Sequence, residues 1–484
     1  MVEIVRNRAH LHELMLFRKV VGIGAIVALS FAAFASPSVA GAKAEDEADM
    51  VAVSTPTTPL LSARRFPGAL QSVTADPELS ASIEQYVSKV VGATCVRIEQ
   101  DGRVIYSKDS SEAFAPASTM KLATALAALD VLGPETTFTT RFLSNKQPKN
   151  GVVEGDLYVV GGGDPLFATP GYKTVFDDPD NFYEDFVLVA EALKDAGIKE
   201  ITGNIVGDDS RYDTVRWVPT WPTRYQVGGT VAPLSALVVN DGNTGYTETP
   251  NDPTTNRKAG DSPLLFVQTL RTLLNSRGIK VSGSASTGRA PVDAEEIASF
   301  DSVPMTQVLA EMLTGSDNTT AELVLKEIGL QAKGQGTTTA GVEAAKESLT
   351  NQGFDLTGFV MLDGSGLDTG DRMTCDLTLE LLEAISRNPD LAAALPLGGR
   401  TGTLRKRMQS TASTGRVRAK TGTLNSVNAL TGFADTPQGN TLTFAFLHNG
   451  NDIRTTGVAD GFTDRLMTYA KGPRIKALEP LPPK

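Results

Sequence analysis

Histidine is almost missing from this chain: three in 484 residues. His10 and His12 precede an apolar N-terminal run, so the rest of the protein keeps only His448, in Phe444-Ala445-Phe446-Leu447-His448-Asn449-Gly450, where it reads as a strand-end residue. A histidine-rich zinc site is therefore excluded, and two scattered cysteines cannot supply a thiolate site. A Ser-His-Asp triad would have to use His448, yet no Gly-x-Ser-x-Gly elbow exists to partner it. If a serine does chemistry here, its base is not histidine, which points to lysine.

Positive charge is also short. Lys and Arg number 45 against 56 Asp and Glu, a formal net charge of −11, the wrong sign for a nucleic-acid partner. Cysteine is limited to Cys95 and Cys375. They read as two separate buried thiols acting as small hydrophobes. A disulfide closing a long loop is the alternative if the chain works in an oxidising compartment. The apolar share of 41% and charged share of 21% are those of a soluble globular protein, and the length asks for two or three domains.

The N-terminus departs from the acidic balance. Arg6, Arg8, Arg18 and Lys19 lead into an apolar run from Val20 to Ala35, followed by Ser38-Val39-Ala40. This pattern predicts a signal peptide over 1–40 with a small-residue cleavage site; an uncleaved membrane anchor is the other reading. Either places the working domain outside the cytoplasm, in the cell envelope or beyond it. Residues 41–75, rich in Ala, Asp, Glu, Pro, Ser and Thr, read as a flexible spacer.

Three short motifs then stand in order. Ser118-Thr119-Met120-Lys121 opens a run of apolar helix formers, Leu122 to Leu129, with Pro116 just ahead as a start signal. Ser118 and Lys121 are three apart and share a helix face, and the helix N-terminus favours an oxyanion forming near Ser118. A serine hydroxyl needs a base, and Lys121 can serve only if burial or a neighbouring cation lowers its pKa. Read alone, the pair is as well explained by an N-cap serine and a surface lysine.

Ser316-Asp317-Asn318 falls between two expected helices, Met305 to Leu313 and Thr320 to Ile328. A loop there can aim side chains into a cleft. Ser316 can relay a proton to a leaving amine, and Asn318 offers donor and acceptor to a substrate amide. The same residues could simply cap the following helix.

Lys420-Thr421-Gly422-Thr423 sits ahead of strand-like runs at Val427 to Phe433 and Thr441 to Leu447. Lys420 and Thr421 would hold a terminal carboxylate, Gly422 would let backbone approach the substrate, and the Thr423 and Ser118 amides would form the oxyanion hole. A look-alike, Arg400-Thr401-Gly402-Thr403-Leu404, lacks strand context and leads into Leu404-Arg405-Lys406-Arg407-Met408, which looks like a short basic helix, so the later copy is the site expected to act.

The ordered trio is that of the penicillin-interacting serine enzymes. The chain more specifically resembles the D-alanyl-D-alanine carboxypeptidase/endopeptidase family, the class C low-molecular-mass penicillin-binding proteins. Asp363-Gly364-Ser365-Gly366-Leu367, Gly155-Asp156-Leu157 with Gly161-Gly162-Gly163-Asp164-Pro165, and Leu395-Pro396 with Gly402 through Met408 carry the resemblance, recognisable from about residue 80 to 470. It implies a β-lactamase/transpeptidase-like catalytic domain of mixed α/β (α+β) class, with a central antiparallel sheet flanked by helices and an inserted αβ domain.

Between Lys121 and Ser316 lie 194 residues, ample for the insertion. The expected boundaries are 76–140 and 301–472 for the split catalytic domain, 141–300 for the insert, and 473–484 for a tail. Helix-Gly-strand units are expected at Asp180 to Ile205, Ser262 to Ser284, and Ala340 to Leu362, with Gly197, Gly278 and Gly353 as helix C′ residues. The implied activity is serine D-Ala-D-Ala carboxypeptidase action on peptidoglycan stem peptides, with D,D-endopeptidase work left open beside it. β-Lactams are the implied inhibitors, and no cofactor or metal is called for.

One departure stands out: the family's arginine soon after the Gly-Leu turn is replaced here by Asp368-Thr369-Gly370-Asp371, and the nearest arginine is Arg372. Rival readings are a serine β-lactamase, or an idle cell-wall-binding protein keeping the same cleft.

Overall fold

The structure is a computed structural model that describes residues 67–176, 181–246, 259–451, 453 and 457–470. The expected signal peptide, most of the expected spacer and the expected tail lie outside the described residues. The spacer expectation needs correction at its end. Residues from Pro67 onward form a helix, α1 (Pro67–Val87), because Ala75, Leu79, Ile83 and Val87 recur at helical spacing and bury one face. Among the described residues, no helix is long and apolar enough to cross a membrane.

After α1 come β1 (Ala93–Gln100), β2 (Arg103–Lys108) and the buried helix α2 (Lys121–Val131). The chain continues through β3 (Thr139–Ser144), β4 (Leu157–Val160), α3 (Phe186–Asp195), β5 (Ile205–Asp208), α4 (Ser262–Ser276), β6 (Ala285–Thr287) and β7 (Glu295–Asp301). It ends with helices α5 (Met305–Gly315), α6 (Asn318–Lys333), α7 (Thr338–Asn351) and α8 (Cys375–Ser386), then β8 (Val417–Leu424), β9 (Val427–Asp435), β10 (Thr441–Asn449) and α9 (Gly457–Leu466).

The first sheet is wholly antiparallel in the order β8-β9-β10-β1-β2, so it joins strands from both ends of the chain. Alternation along β10 sends Phe444 and Phe446 to the face covered by α1 and α9, and Ala445 and Leu447 to the face covered by α8. The second sheet, β6-β5-β4-β3-β7, mixes parallel and antiparallel pairs and is drawn entirely from residues between Thr139 and Asp301. It packs α3 and α4 around Phe142, Phe186 and Phe266.

Two expectations are corrected here. Cys95 and Cys375 are joined in a disulfide, with Cα atoms 6.0 Å apart. Strand alternation turns Cys95 to the α8 face, and Cys375 is the first residue of that helix, a proximity that only the tertiary fold creates. The helix-Gly-strand units hold only in part. Gly197, Gly278 and Gly353 do take positive φ after their helices. The first helix starts at Phe186 with Asp185 as its cap rather than at Asp180, which is outside the described residues, and no strand follows Gly353.

Candidate active site

Helix α2 is lined by Leu122, Ala123, Ala125, Leu126, Ala127 and Ala128, all in the core, so its first residue, Lys121, is carried to full burial. Ser118 precedes it on a 3₁₀ turn, Ala117–Met120, where it is partly exposed. Ala117 holds a positive φ of 47°, a strained conformation for a residue with a side chain, and this bend presents the serine.

Lys121 Nζ donates to three acceptors: Ser118 Oγ at 3.0 Å, Asn318 Oδ1 at 2.8 Å and the Ser365 carbonyl at 2.8 Å. Two of these are carbonyl-type oxygens that can only accept. When Lys121 is neutral, its two N–H bonds go to them and its lone pair is left facing the Ser118 hydroxyl. Burial lowers the lysine to about 8, against the partly restoring charges of Asp317, Asp363, Glu322 and Glu311. The sequence condition for a lysine base, a lowered pKa, is met.

Ser316 ends α5 in a left-handed conformation, and Asp317 caps α6 by accepting from the Thr320 amide. The capping reading of this motif therefore holds for Asp317. Ser316 Oγ accepts from Lys420 Nζ at 2.7 Å, and Lys420 also donates to the Thr421 carbonyl at 2.9 Å. Lys420 is fully buried and is held well below the ordinary lysine value, first by desolvation and then by the Lys121 charge.

Strand β8 is the edge of its sheet. The Ala419 amide points outward to the Pro396 carbonyl, so by the two-residue period the Thr421 and Thr423 amides lie on the same outer edge. A Cβ on Gly422 would stand 2.7 Å from the Pro116 carbonyl oxygen, so glycine lets this edge close against the segment just before Ser118.

Asn318 is oriented as well as placed: its Nδ2 donates to the Thr230 carbonyl at 2.9 Å, which turns Oδ1 to Lys121. Ser118, Lys121 and Asn318 thus form one hydrogen-bonded group and Ser316 and Lys420 another, joined through Ser316-Asp317-Asn318, while Thr421, Gly422 and Thr423 continue the edge strand that closes on the segment before Ser118.

Sequence reasoning missed three contributors. The Ser365 carbonyl is a backbone ligand of Lys121. Glu322, fully buried, accepts from the Gly364 and Ser365 amides at 3.0 and 2.8 Å and so fixes that carbonyl. Its burial pushes its carboxyl up, with the Asp363 charge adding to the rise. The third is Thr403, inside the look-alike motif, whose hydroxyl pairs with that of Thr421 at 2.8 Å. The segment is a 3₁₀ turn, Gly402–Leu404, followed by turns rather than the short basic helix expected, and it lends a hydroxyl to Thr421. Arg372 closes on its own loop, donating to the Thr369 and Asp371 carbonyls.

An antiparallel sheet flanked by helices, with a serine beside a buried lysine, is the arrangement of the penicillin-interacting serine enzymes. Comparison with known proteins agrees. A profile of the D-Ala-D-Ala carboxypeptidase 3 (S13) family matches residues 68–267 and 251–461. A D-alanyl-D-alanine carboxypeptidase of Actinomadura sp. (strain R39) is 30% identical over 444 residues, covering 76% of this chain and 80% of that one. A carboxypeptidase of Mycobacterium tuberculosis is 28% identical over 401 residues, 80% of each chain. The crystal structure of penicillin binding protein 4 from Haemophilus influenzae shares the fold, with a TM-score of 0.66 at 21% identity over 79% of this chain and 98% of that one. The chain belongs to the S13 family of D-Ala-D-Ala carboxypeptidases and is a serine-type hydrolase.

Proposed function

We propose that this carboxypeptidase works outside the cytoplasm on peptidoglycan stem peptides ending in D-Ala-D-Ala, through an acyl-enzyme on Ser118. The observation that carries the reading is the 3.0 Å contact between a buried Lys121 Nζ and Ser118 Oγ, with the other lysine partners confined to acceptors.

Neutral Lys121 takes the Ser118 proton as Oγ attacks the carbonyl of the penultimate D-alanine. The Ser118 and Thr423 amides receive the negative charge on that oxygen. The C–N bond then breaks, and the proton passes through Ser316, in contact with Lys420, to the departing D-alanine amine. Water then gives a proton to Lys121 as its oxygen attacks the acyl carbon, the bond to Ser118 Oγ breaks, and Lys121 returns that proton to Oγ as the shortened peptide leaves. Lys420 and Thr421 hold the terminal carboxylate, and Asn318 keeps one amide hydrogen toward the substrate backbone. A β-lactam presents the same acyl donor to Ser118.

The domain organisation proposed is a catalytic domain of 76–140 and 301–472 interrupted by an insert at 141–300, which the confinement of the second sheet to Thr139–Asp301 supports. Export is supported by the N-terminal apolar run and by the Cys95–Cys375 disulfide, which suits an oxidising compartment.

The test is Ser118→Ala with a fluorescent penicillin: wild-type protein should label one-to-one and the variant not at all, and a stoichiometric adduct on the variant would sink the assignment. Product analysis on defined muropeptides then separates released D-alanine from cleaved crosslinks, which measures any D,D-endopeptidase share.

A further inference from the structure

Lys121 does not hold its two carbonyl-type ligands by the catalytic segments alone. The Ser365 carbonyl belongs to a buried turn, Asp363 to Asp368, whose shape is set by its amides: Gly364 and Ser365 donate to Glu322, while Gly366 and Asp368 donate to Asp363, each at 2.7 Å. Asp363 is met from outside the turn by the Trp221 indole N–H at 2.7 Å and by the buried Asp371 carboxyl, which burial and the Asp363 charge push up to about 10. Thr220 donates to Asp368, and the Tyr225 hydroxyl donates to the Leu367 carbonyl at 3.3 Å. The other ligand, Asn318, takes its orientation from the Thr230 carbonyl, and its neighbour Thr319 accepts from the Ala232 amide at 3.0 Å. Trp221, Thr220, Tyr225, Thr230 and Ala232 all come from one stretch of the inserted region.

We infer that the inserted region is part of the catalytic apparatus: its segment 220–232 positions the general base by fixing both acceptors that turn the Lys121 lone pair toward Ser118. The inference rests on the reading of Lys121 as the base. An independent accessory domain could be loosened without altering the lysine; this one could not. Trp221 and Thr220 are positioning residues, since neither touches the reacting atoms.

The groups facing Lys121 are Ser118, Asp317, Asn318 and Glu322, with Glu311 on α5, Asp363 on the turn and the buried Lys420. Removing the indole N–H weakens the ionised form of Asp363 and loosens the side of the turn that Asp363 holds, on which the aim of the Ser365 carbonyl depends. Both changes remove support for the lysine ammonium, so the acid limb of acylation moves to lower pH while the plateau rate falls. A mere packing defect that admits water does the opposite, moving the limb up toward the ordinary lysine value.

The experiment measures the second-order rate of penicillin acylation from pH 5.5 to 10 for wild type, Trp221→Phe and Thr220→Val, with Arg271→Ala as an insert control. Arg271 donates to the Gly283 carbonyl, away from the turn. The expected result is a plateau loss of about 10- to 100-fold for Trp221→Phe, the range for losing a hydrogen bond to a charged group, with a smaller loss for Thr220→Val. Both limbs should shift to lower pH, and Arg271→Ala should match wild type. If Trp221→Phe does not fold, Thr220→Val alone decides by the same two readouts. An unchanged rate and limb, or a limb shifted upward, overturns the inference. Ser118→Ala, run alongside, separates the two levels: its adduct would remove the proposed function itself, whereas its silence with wild-type kinetics in Trp221→Phe removes only the role of the insert.

Discussion

Gly366 is pressed against Ala117: a Cβ built on Gly366 would lie 1.9 Å from the Ala117 carbonyl oxygen. The turn that supplies the third ligand of Lys121 therefore packs directly on the bend that presents Ser118. Ser118 and Lys121 are registered to each other through backbone as well as through their own hydrogen bond.

Gly366→Ala should consequently damage both stability and acylation. Gly366 has a φ of +80°, so an alanine there meets backbone strain and a collision that no side-chain rotation relieves. We expect a loss of roughly 2–4 kcal/mol in unfolding free energy, and acylation reduced at least about tenfold in the folded fraction. Gly353→Ala is the comparison. Its φ is +92° but a Cβ there meets nothing within 4 Å, so only the conformational cost of about 1 kcal/mol applies. Denaturant unfolding with penicillin labelling checks both variants, and equal costs would refute the packing argument.

The parts of this site that sequence made legible were those whose chemistry is local. Ser118 and Lys121 share a helix turn, and Lys420 was separated from the copy at Arg400 by strand context, which β8 supplies. What stayed hidden depends on the tertiary fold. Ser365 acts through a backbone carbonyl, which carries no residue signature. Glu322 stands at the end of Ser316-Asp317-Asn318-Thr319-Thr320-Ala321-Glu322, a segment that fits the family, but nothing in the sequence gives it a role, and only its burial and its bonds to the turn show it holding that turn. Cys95 and Cys375 are 280 positions apart and meet because one strand face and one helix start coincide. Thr403 lay in the segment set aside as a look-alike, where absence of strand context was correctly seen but said nothing of proximity to Thr421.

The lowered pKa of Lys121 makes two predictions with a definite sign. Acylation should rise with pH through a limb near 8, where the lysine becomes a free base. Stability should follow the same group. Its folded value of about 8 lies below the 10.5 of the exposed side chain, so between these values the unfolded state binds more protons. The cost of burying this lysine is therefore complete below pH 8 and is relieved as pH climbs to 10.5. Other buried groups titrate too, so the quantity to measure is the difference between wild type and Lys121→Met. Across that window the difference should move in favour of wild type by roughly 3 kcal/mol. A flat difference from pH 7 to 10.5 would show that the folded lysine is not depressed.

Thr403 tests whether the look-alike segment takes part in binding. Its hydroxyl is paired with that of Thr421, and Thr421 lies on the outer edge of β8 beside Lys420, where the substrate carboxylate is placed in the proposed mechanism. Thr403→Val keeps the shape and removes the hydroxyl, leaving Thr421 free to rotate its own. A neutral hydrogen bond of this kind contributes about 0.5–1.5 kcal/mol, so a KM rise of roughly 2- to 12-fold is expected. The kcat should stay close to wild type, because neither hydroxyl contacts Ser118 or Lys121 among the described bonds. Arg400→Ala, in the same motif but exposed, should leave both constants unchanged. Steady-state release of D-alanine from a D-Ala-D-Ala peptide gives the two constants separately. A fall in kcat with KM intact would instead place Thr403 on the path of the proton through Ser316 and Lys420.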